Sequence, residues 1–211
     1  MYLTATRPDL TFSVCMLSRF MESPKRSHWE AGKRVLLYLC GTVTEGIFYR
    51  KVEDSGSVGY CDSDWGGSFD DCKSTSGYVF SIGSGVISWT SKKQSVVALS
   101  TAESEYISLA LASCQALWIR WILEELKHHQ VKGTTLFCDN SSAISLTKNP
   151  VFHGKSKHIR IKFHFIRDLV KDGEIVVEYC KTQDQLADIF TKALKCDTFN
   201  KMKKKLGMTV V

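Results

Sequence analysis

Proline is scarce, with 3 residues in 211, and no stretch is dominated by one residue type; collagen-like and low-complexity architectures are excluded. No window approaches the ~18 consecutive apolar residues of a membrane span. Met1 is not followed by the basic patch and apolar run of a signal peptide. The expectation is a soluble, unsecreted chain with no membrane partner. None of the 8 cysteines (Cys15, Cys40, Cys61, Cys72, Cys114, Cys138, Cys180, Cys196) forms a C-x-x-C pair, so neither a zinc site nor a disulfide framework is indicated. They read as reduced thiols, mostly buried, in an intracellular compartment. A large charge imbalance is also missing. The excess of 28 Lys+Arg over 22 Asp+Glu gives +6, which suits a polyanionic partner without requiring one.

What is present is ordinary globular composition, 44% hydrophobic and 24% charged, enough for a substantial core. Residues 1–45 carry helical patterns over Pro8 to Phe20 and Ser27 to Leu39, the second with a Ser27/Glu30 capping-box spacing. They predict a small helical unit that packs on a neighbour. Residues 46–195 form a larger unit. In it Val58, Tyr60, Asp62 and Asp64 share one face of a strand, and Gly77 to Ile82 and Val86 to Ser91 form a hairpin across Gly83-Ser84-Gly85. A long helix, apolar nearly all round, follows over about Thr101 to Lys127. Then come strand Thr134 to Asp139, helix Ser141 to Thr147, helix Lys157 to Lys171, strand Glu174 to Lys181 and helix Gln183 to Leu194. Residues 196–211 read as a basic tail helix. The class is α/β: three antiparallel strands, a helix, then two strands added in parallel, five in all.

Acids interrupt the apolar strands where they end. Asp62 follows Val58-Gly59-Tyr60-Cys61, and Asp139 follows Leu136-Phe137-Cys138. If those strands are parallel neighbours, the carboxylates converge and repel unless they share a cation. Glu103 and Glu105 open the long helix, and Asp188 lies early in the last predicted helix. An all-oxygen cluster selects Mg²⁺ or Mn²⁺ over zinc, and paired divalent ions serve phosphodiester hydrolysis. The pattern alone leaves another reading open: Asp139-Asn140-Ser141-Ser142 can simply cap a helix, and Glu103 can simply compensate its dipole. Periodicity does not choose between Glu103 and Glu105.

The segments Tyr60-Cys61-Asp62-Ser63-Asp64-Trp65, Lys73-Ser74-Thr75-Ser76-Gly77-Tyr78, Ile87-Ser88-Trp89-Thr90-Ser91-Lys92-Lys93-Gln94, Leu99-Ser100-Thr101-Ala102-Glu103-Ser104-Glu105-Tyr106, Cys138-Asp139-Asn140-Ser141-Ser142 and Gln185-Leu186-Ala187-Asp188-Ile189-Phe190-Thr191-Lys192 occur in this order over nearly the whole chain. In them it resembles the C-terminal ribonuclease H region of copia-type LTR retrotransposon polyproteins. Thr6-Arg7-Pro8-Asp9, Leu17-Ser18-Arg19-Phe20-Met21 and His28-Trp29 resemble the end of the family's reverse transcriptase, without its fingers and palm. The resemblance implies a polyprotein fragment with a ribonuclease H-like fold, in which Asp62, Glu105, Asp139 and Asp188 bind two Mg²⁺, or Mn²⁺. It implies an endonuclease acting on the RNA strand of an RNA–DNA hybrid. The implied partners are that hybrid and the rest of the polyprotein with its reverse transcriptase. The implied location is the cytoplasm, within virus-like particles, or the nucleus.

Some positions depart from the family pattern. Lys181-Thr182-Gln183-Asp184-Gln185 is short and holds no histidine, so a leaving group would take its proton from water or another residue. Cys72, Arg160 and Gly67-Ser68 replace residues more usual there. Lys92, Lys93 and Gln94, beside the long helix's start, and Asn140, next to Asp139, are the candidate nucleic-acid contacts; Asp64 and Asn140 are also candidates to support the acids. His153, His158 and His164 lie among lysines and arginines and lack cysteine partners for zinc. Trp89, Trp118 and Trp121 read as core, and the tail lysines as a solvated helix end. The rivals are a catalytically silent hybrid-binding or structural module, and a nuclease of the same fold acting on DNA.

Overall fold

A computed structural model describes residues 2–52, 56–148 and 165–210. The helices are α1 (Tyr2–Thr6), α2 (Pro8–Ser18), α3 (Arg26–Gly41), α4 (Thr101–Glu125), α5 (Ser141–Lys148), α6 (helical at 165–171) and α7 (Cys196–Lys205). The strands are β1 (Glu45–Ile47), β2 (Ser57–Asp64), β3 (Thr75–Ile82), β4 (Gly85–Lys93), β5 (Thr134–Cys138), β6 (Ile175–Tyr179) and β7 (Met208–Val210). Five of them form one sheet in the order β4-β3-β2-β5-β6. β2, β3 and β4 are antiparallel, whereas β5 and β6 join β2 in parallel. This is the mixed five-stranded sheet, three antiparallel strands plus two parallel, that the sequence predicts. The hairpin turn uses Gly83 at φ +61°, a left-handed conformation that favours glycine.

Strand alternation sends side chains to two cores. Cys61, Phe80, Leu136 and Cys138 face α4, meeting Tyr106, Leu109, Ala112 and Ala116. Val79 and Val86, with Tyr60 beside them, face Leu186, Ile189, Phe190, Met202 and Leu206. α4 starts on a reciprocal cap: Glu103 N–H donates to Ser100 Oγ at 3.2 Å, and Leu99 N–H donates to Glu103 Oε2 at 2.9 Å. Ser108 Oγ donates to the Asp62 carbonyl at 2.7 Å, pinning the helix to β2. By length and composition α4 passes for a membrane span, but 56% of that window is buried within the fold.

Residues 2–45 and 196–210 pack on the sheet and on each other. Trp89 Nε1 donates to the Thr4 carbonyl at 2.8 Å, and Arg19 Nη2 to Thr75 Oγ1 at 3.0 Å. Arg7 pairs with Asp9 at 2.8 Å, and Tyr38 OH donates to Asp9 Oδ2 at the same distance. Lys203, 8% exposed, donates to Tyr38 OH at 2.8 Å and pairs with Glu45. β1 and β7 form a two-stranded antiparallel sheet that joins these regions.

Several expectations need correction. The helix predicted over Gln183 to Leu194 is two 3-10 turns, Thr182–Asp184 and Leu186–Phe190. Gln185 between them is fully buried; its Nε2 donates to the Cys61 carbonyl at 2.9 Å, and its Oε1 accepts the Ala187 N–H at 3.2 Å. That side chain anchors the segment to β2 and replaces helical hydrogen bonds. The tail helix ends in a strand. α3 starts at Arg26 and is capped by Lys25, whose N–H donates to His28 Nδ1 at 3.1 Å, rather than by Ser27. Trp118 and Trp121 are 53% and 63% exposed, not core, while Trp89 packs beside the second cluster. Only Cys61, Cys138 and Cys180 of the cysteines are buried; all eight are free thiols. Of the helix predicted over Lys157 to Lys171, the part before residue 165 lies outside the described residues, as do His153, His158, His164 and Arg160.

Candidate metal centre

Parallel pairing aligns Tyr60 with Phe137, so Asp62 and Asp139, each two residues further on, emerge at the same end of neighbouring strands. Glu105, in the second turn of α4, points at them. Carboxylate oxygens of Asp62, Glu105 and Asp139 lie within 4.8 Å of one another, with Asp62 and Glu105 buried and Asp139 half-buried. Glu103, by contrast, closes the cap of α4. Periodicity leaves the two acids equivalent, and it is Glu105 that lies with Asp62 and Asp139.

Asp188 reaches the same place by another route. Gly77 sits opposite Asp62 on β3, and a Cβ there would lie 2.8 Å from both Phe190 Cβ and Thr191 Cγ2. Its missing side chain lets the 3-10 segment press against the sheet. Thr191 Oγ1 then donates to Asp62 Oδ2. Lys192 Nζ lies 2.8 Å from Asp188 Oδ1 and 3.7 Å from Asp62 Oδ2. Asp188, 6% exposed, completes the group of acids across that ammonium.

The electrostatics are those of crowded, desolvated carboxylates. Burial, then the charges of Asp62, Cys138 and Asp139, pushes Glu105 up to about 11. Burial, then Asp62, pushes Asp188 up to about 7 against the opposing pull of Lys192. Burial lowers Lys192, and Asp62 and Asp188 outweigh it, so the net shift is upward. Glu105 Oε1 accepts the Ser63 N–H at 3.3 Å, whereas Glu105 Oε2 accepts no hydrogen bond. Asp188 Oδ1 is buried as well and has the Lys192 ammonium as its partner at 2.8 Å. A buried carboxylate oxygen without a donor, as Glu105 Oε2 is, is one that a bound cation compensates. The donor set, all oxygen, fits a hard divalent ion.

The other candidates separate. Asp64 turns away from the cluster: it accepts the Thr75 N–H, and Gly67 leaves it room, since a Cβ there would stand 1.8 Å from Asp64 Oδ2. Burial there raises its pKa to about 6. Asn140 Oδ1 accepts the Ala143 N–H at 2.9 Å and caps α5, leaving Asp139 to the cluster. Gln94 is not a surface contact. It is 6% exposed, and its Nε2 lies 3.1, 2.9 and 3.0 Å from Ser63 Oγ, Ser76 Oγ and the Ser104 carbonyl, tying β2 and β3 to α4. Lys92 is exposed, and Lys93 pairs with Asp71 at 2.8 Å. Both line a cavity of about 350 Å³ with Ile107, Cys114 and Phe165, next to Gln94. Thr191 and Lys192 had no assigned role in the sequence; the i,i+4 spacing of Asp188 and Lys192 is the signal that points to one of them.

No family model matches the chain. Halobacterium salinarum ribonuclease H1 aligns over 64% of this chain and 93% of its own, at 14% identity and TM-score 0.47. The retrovirus-related Pol polyprotein from transposon RE1 of Arabidopsis thaliana is 44% identical over 210 residues, 100% of this chain and 14% of its own length. That from transposon TNT 1-94 of Nicotiana tabacum is 40% identical over 206 residues, 98% of this chain and 15% of its own. The chain therefore spans about a seventh of the relatives it matches. At these identities over its whole length, it belongs to the family of retrovirus-related Pol polyproteins of transposons.

Proposed function

We propose that the chain is a metal-dependent endonuclease that hydrolyses the RNA strand of RNA–DNA hybrids. One observation carries the reading: oxygens of Asp62, Glu105 and Asp139 within 4.8 Å of one another, with buried Asp188 joined to Asp62 through Lys192. Asp62, Glu105, Asp139 and Asp188 would hold two Mg²⁺ ions, with Mn²⁺ as a substitute. Such a pair activates a water and stabilises the leaving oxygen in phosphodiester hydrolysis.

The chain's own residues do the rest. Thr191 fixes the Asp62 carboxylate, and the Ser63 amide fixes Glu105. Lys92 and Lys93 end β4, two strands from β2 in the sheet, where they would meet the substrate backbone as point charges. The turn Thr182–Asp184 before Asp188 holds no histidine, so water or another side chain protonates the leaving oxygen. As part of a Pol polyprotein, the unit would process hybrids made by the accompanying reverse transcriptase.

The test offers the purified chain labelled RNA–DNA hybrid, duplex DNA and duplex RNA, with Mg²⁺ or EDTA. Cleavage of the hybrid RNA strand in Mg²⁺ alone is expected. Cleavage of duplex DNA would transfer the reading to a DNA nuclease of the same fold. Binding without cleavage of any substrate would make the chain a silent module.

A further inference from the structure

Lys192 occupies a place in the acid cluster that its sequence does not announce. The three acids on β2, α4 and β5 come together directly, but Asp188 meets Asp62 through the Lys192 ammonium, 2.8 Å from one and 3.7 Å from the other. The Asp188 contact is a short, charge-assisted one, and the Asp62 contact a longer ion pair. The ammonium acts as a point charge held between two carboxylates. The Lys192 side chain is 40% exposed, while those of Asp188 and Asp62 are 8% and 2% exposed. Its head enters from solvent on a flexible stem and can leave the same way.

We propose that the Lys192 ammonium is a resident occupant of the Asp62–Asp188 position, exchanged for a divalent cation when that position loads. The inference rests on the metal reading above. A divalent ion bound to Asp62 and Asp188 would lie a few Å from Nζ, and the repulsion between them acts in a partly desolvated site. Lys192 therefore lowers affinity at the Asp188 side and leaves the Asp62, Glu105 and Asp139 side less affected. In the metal-free chain it offsets carboxylate repulsion and keeps Asp188 in place.

The test titrates the full chain with Mn²⁺ alone, free ion being counted by electron paramagnetic resonance, without nucleic acid. Wild type is compared with Lys192→Met, Lys192→Gln, Lys192→Arg and Asp62→Asn, each checked for fold by circular dichroism. Loss of the charge in Lys192→Met and Lys192→Gln should tighten the weaker Mn²⁺ step at least about tenfold, while Lys192→Arg stays near wild type. Unchanged or weaker binding in both neutral variants, with Asp62→Asn abolishing wild-type binding, would overturn this proposal and leave the metal reading standing. Absence of Mn²⁺ binding in wild type and in every Lys192 variant would overturn both.

Discussion

Glu103 and Glu105 lie two positions apart in one helix and serve different ends: Glu103 Oε2 accepts a hydrogen bond from the Leu99 N–H at 2.9 Å at the helix start, whereas Glu105 is buried against Asp62 and Asp139. Two substitutions separate the roles. Glu103→Gln should lower stability by about 1 kcal/mol or less and leave hybrid cleavage near wild type. Glu105→Gln should reduce cleavage by about a hundredfold or more, on the order of 3 kcal/mol of barrier, with little change in metal-free stability. Urea denaturation and initial cleavage rates decide it; equal rates for the two variants would remove Glu105 from the centre.

The acids make metal-free stability depend on pH in a defined direction. Burial and the neighbouring Asp62 charge push Asp188 up to about 7 and Glu105 up to about 11 in the folded chain, against about 4 when unfolded. A carboxyl with a raised folded pKa contributes stability that is full below the unfolded value and is lost as pH rises through the folded one. In EDTA the melting temperature should therefore fall between pH 5 and pH 8 by more in wild type than in Asp188→Asn. Saturating Mg²⁺ should narrow the difference, because ligation favours the ionised form. Parallel pH profiles for the two proteins would contradict the raised value.

Gly77 is the contact through which the last acid is placed. Gly77→Ala puts a methyl 2.8 Å from Phe190 Cβ and Thr191 Cγ2, so the 3-10 segment must move. A loss of about 1–3 kcal/mol of stability is expected, together with a fall in cleavage that Ser81→Ala, at the far end of the same strand, does not produce. Retained activity with wild-type melting would show that the segment tolerates displacement.

Removal of residues 1–45 tests whether the N-terminal helices belong to this fold. It takes away the Thr4 acceptor of Trp89, the Arg19 contact with Thr75, and both Tyr38 and Glu45, leaving the buried Lys203 without either partner. Stranding a buried charge typically costs about 3–5 kcal/mol. The truncated chain should melt more than about 5 °C lower and bind a hydrophobic dye. Unchanged melting would mean that these helices only rest on the surface.

Much of this arrangement was legible in residue patterns, and the failures share causes. Period-2 alternation around Tyr60 and Asp62, the Gly83 turn and the apolar girth of α4 report local geometry, so strand, hairpin and helix were readable. The Asp188 segment reads as a helix because its apolar spacing is helical, yet Leu186, Ala187, Ile189 and Phe190 are all buried and Gln185 competes for the backbone. Tertiary contacts decide there. β1 and β7, three residues each and paired across the length of the chain, leave no periodic trace. The four acids needed the resemblance, since spacing could not separate Glu105 from Glu103. Lys192 leaves little trace in the pattern, because a lysine near a helix end ordinarily reads as solvated.

The most direct measurement of the central claim is cleavage of a labelled RNA–DNA hybrid in Mg²⁺ by wild type beside Asp62→Asn and Asp139→Asn, with hybrid affinity measured in parallel over a salt series. Each substitution removes a ligand oxygen from the cluster but no basic contact. Cleavage should fall to near background while affinity, and its decline with salt, stay close to wild type. Retention of more than about a tenth of wild-type cleavage, roughly 1.4 kcal/mol of barrier, in either variant would contradict a metal centre built on these acids.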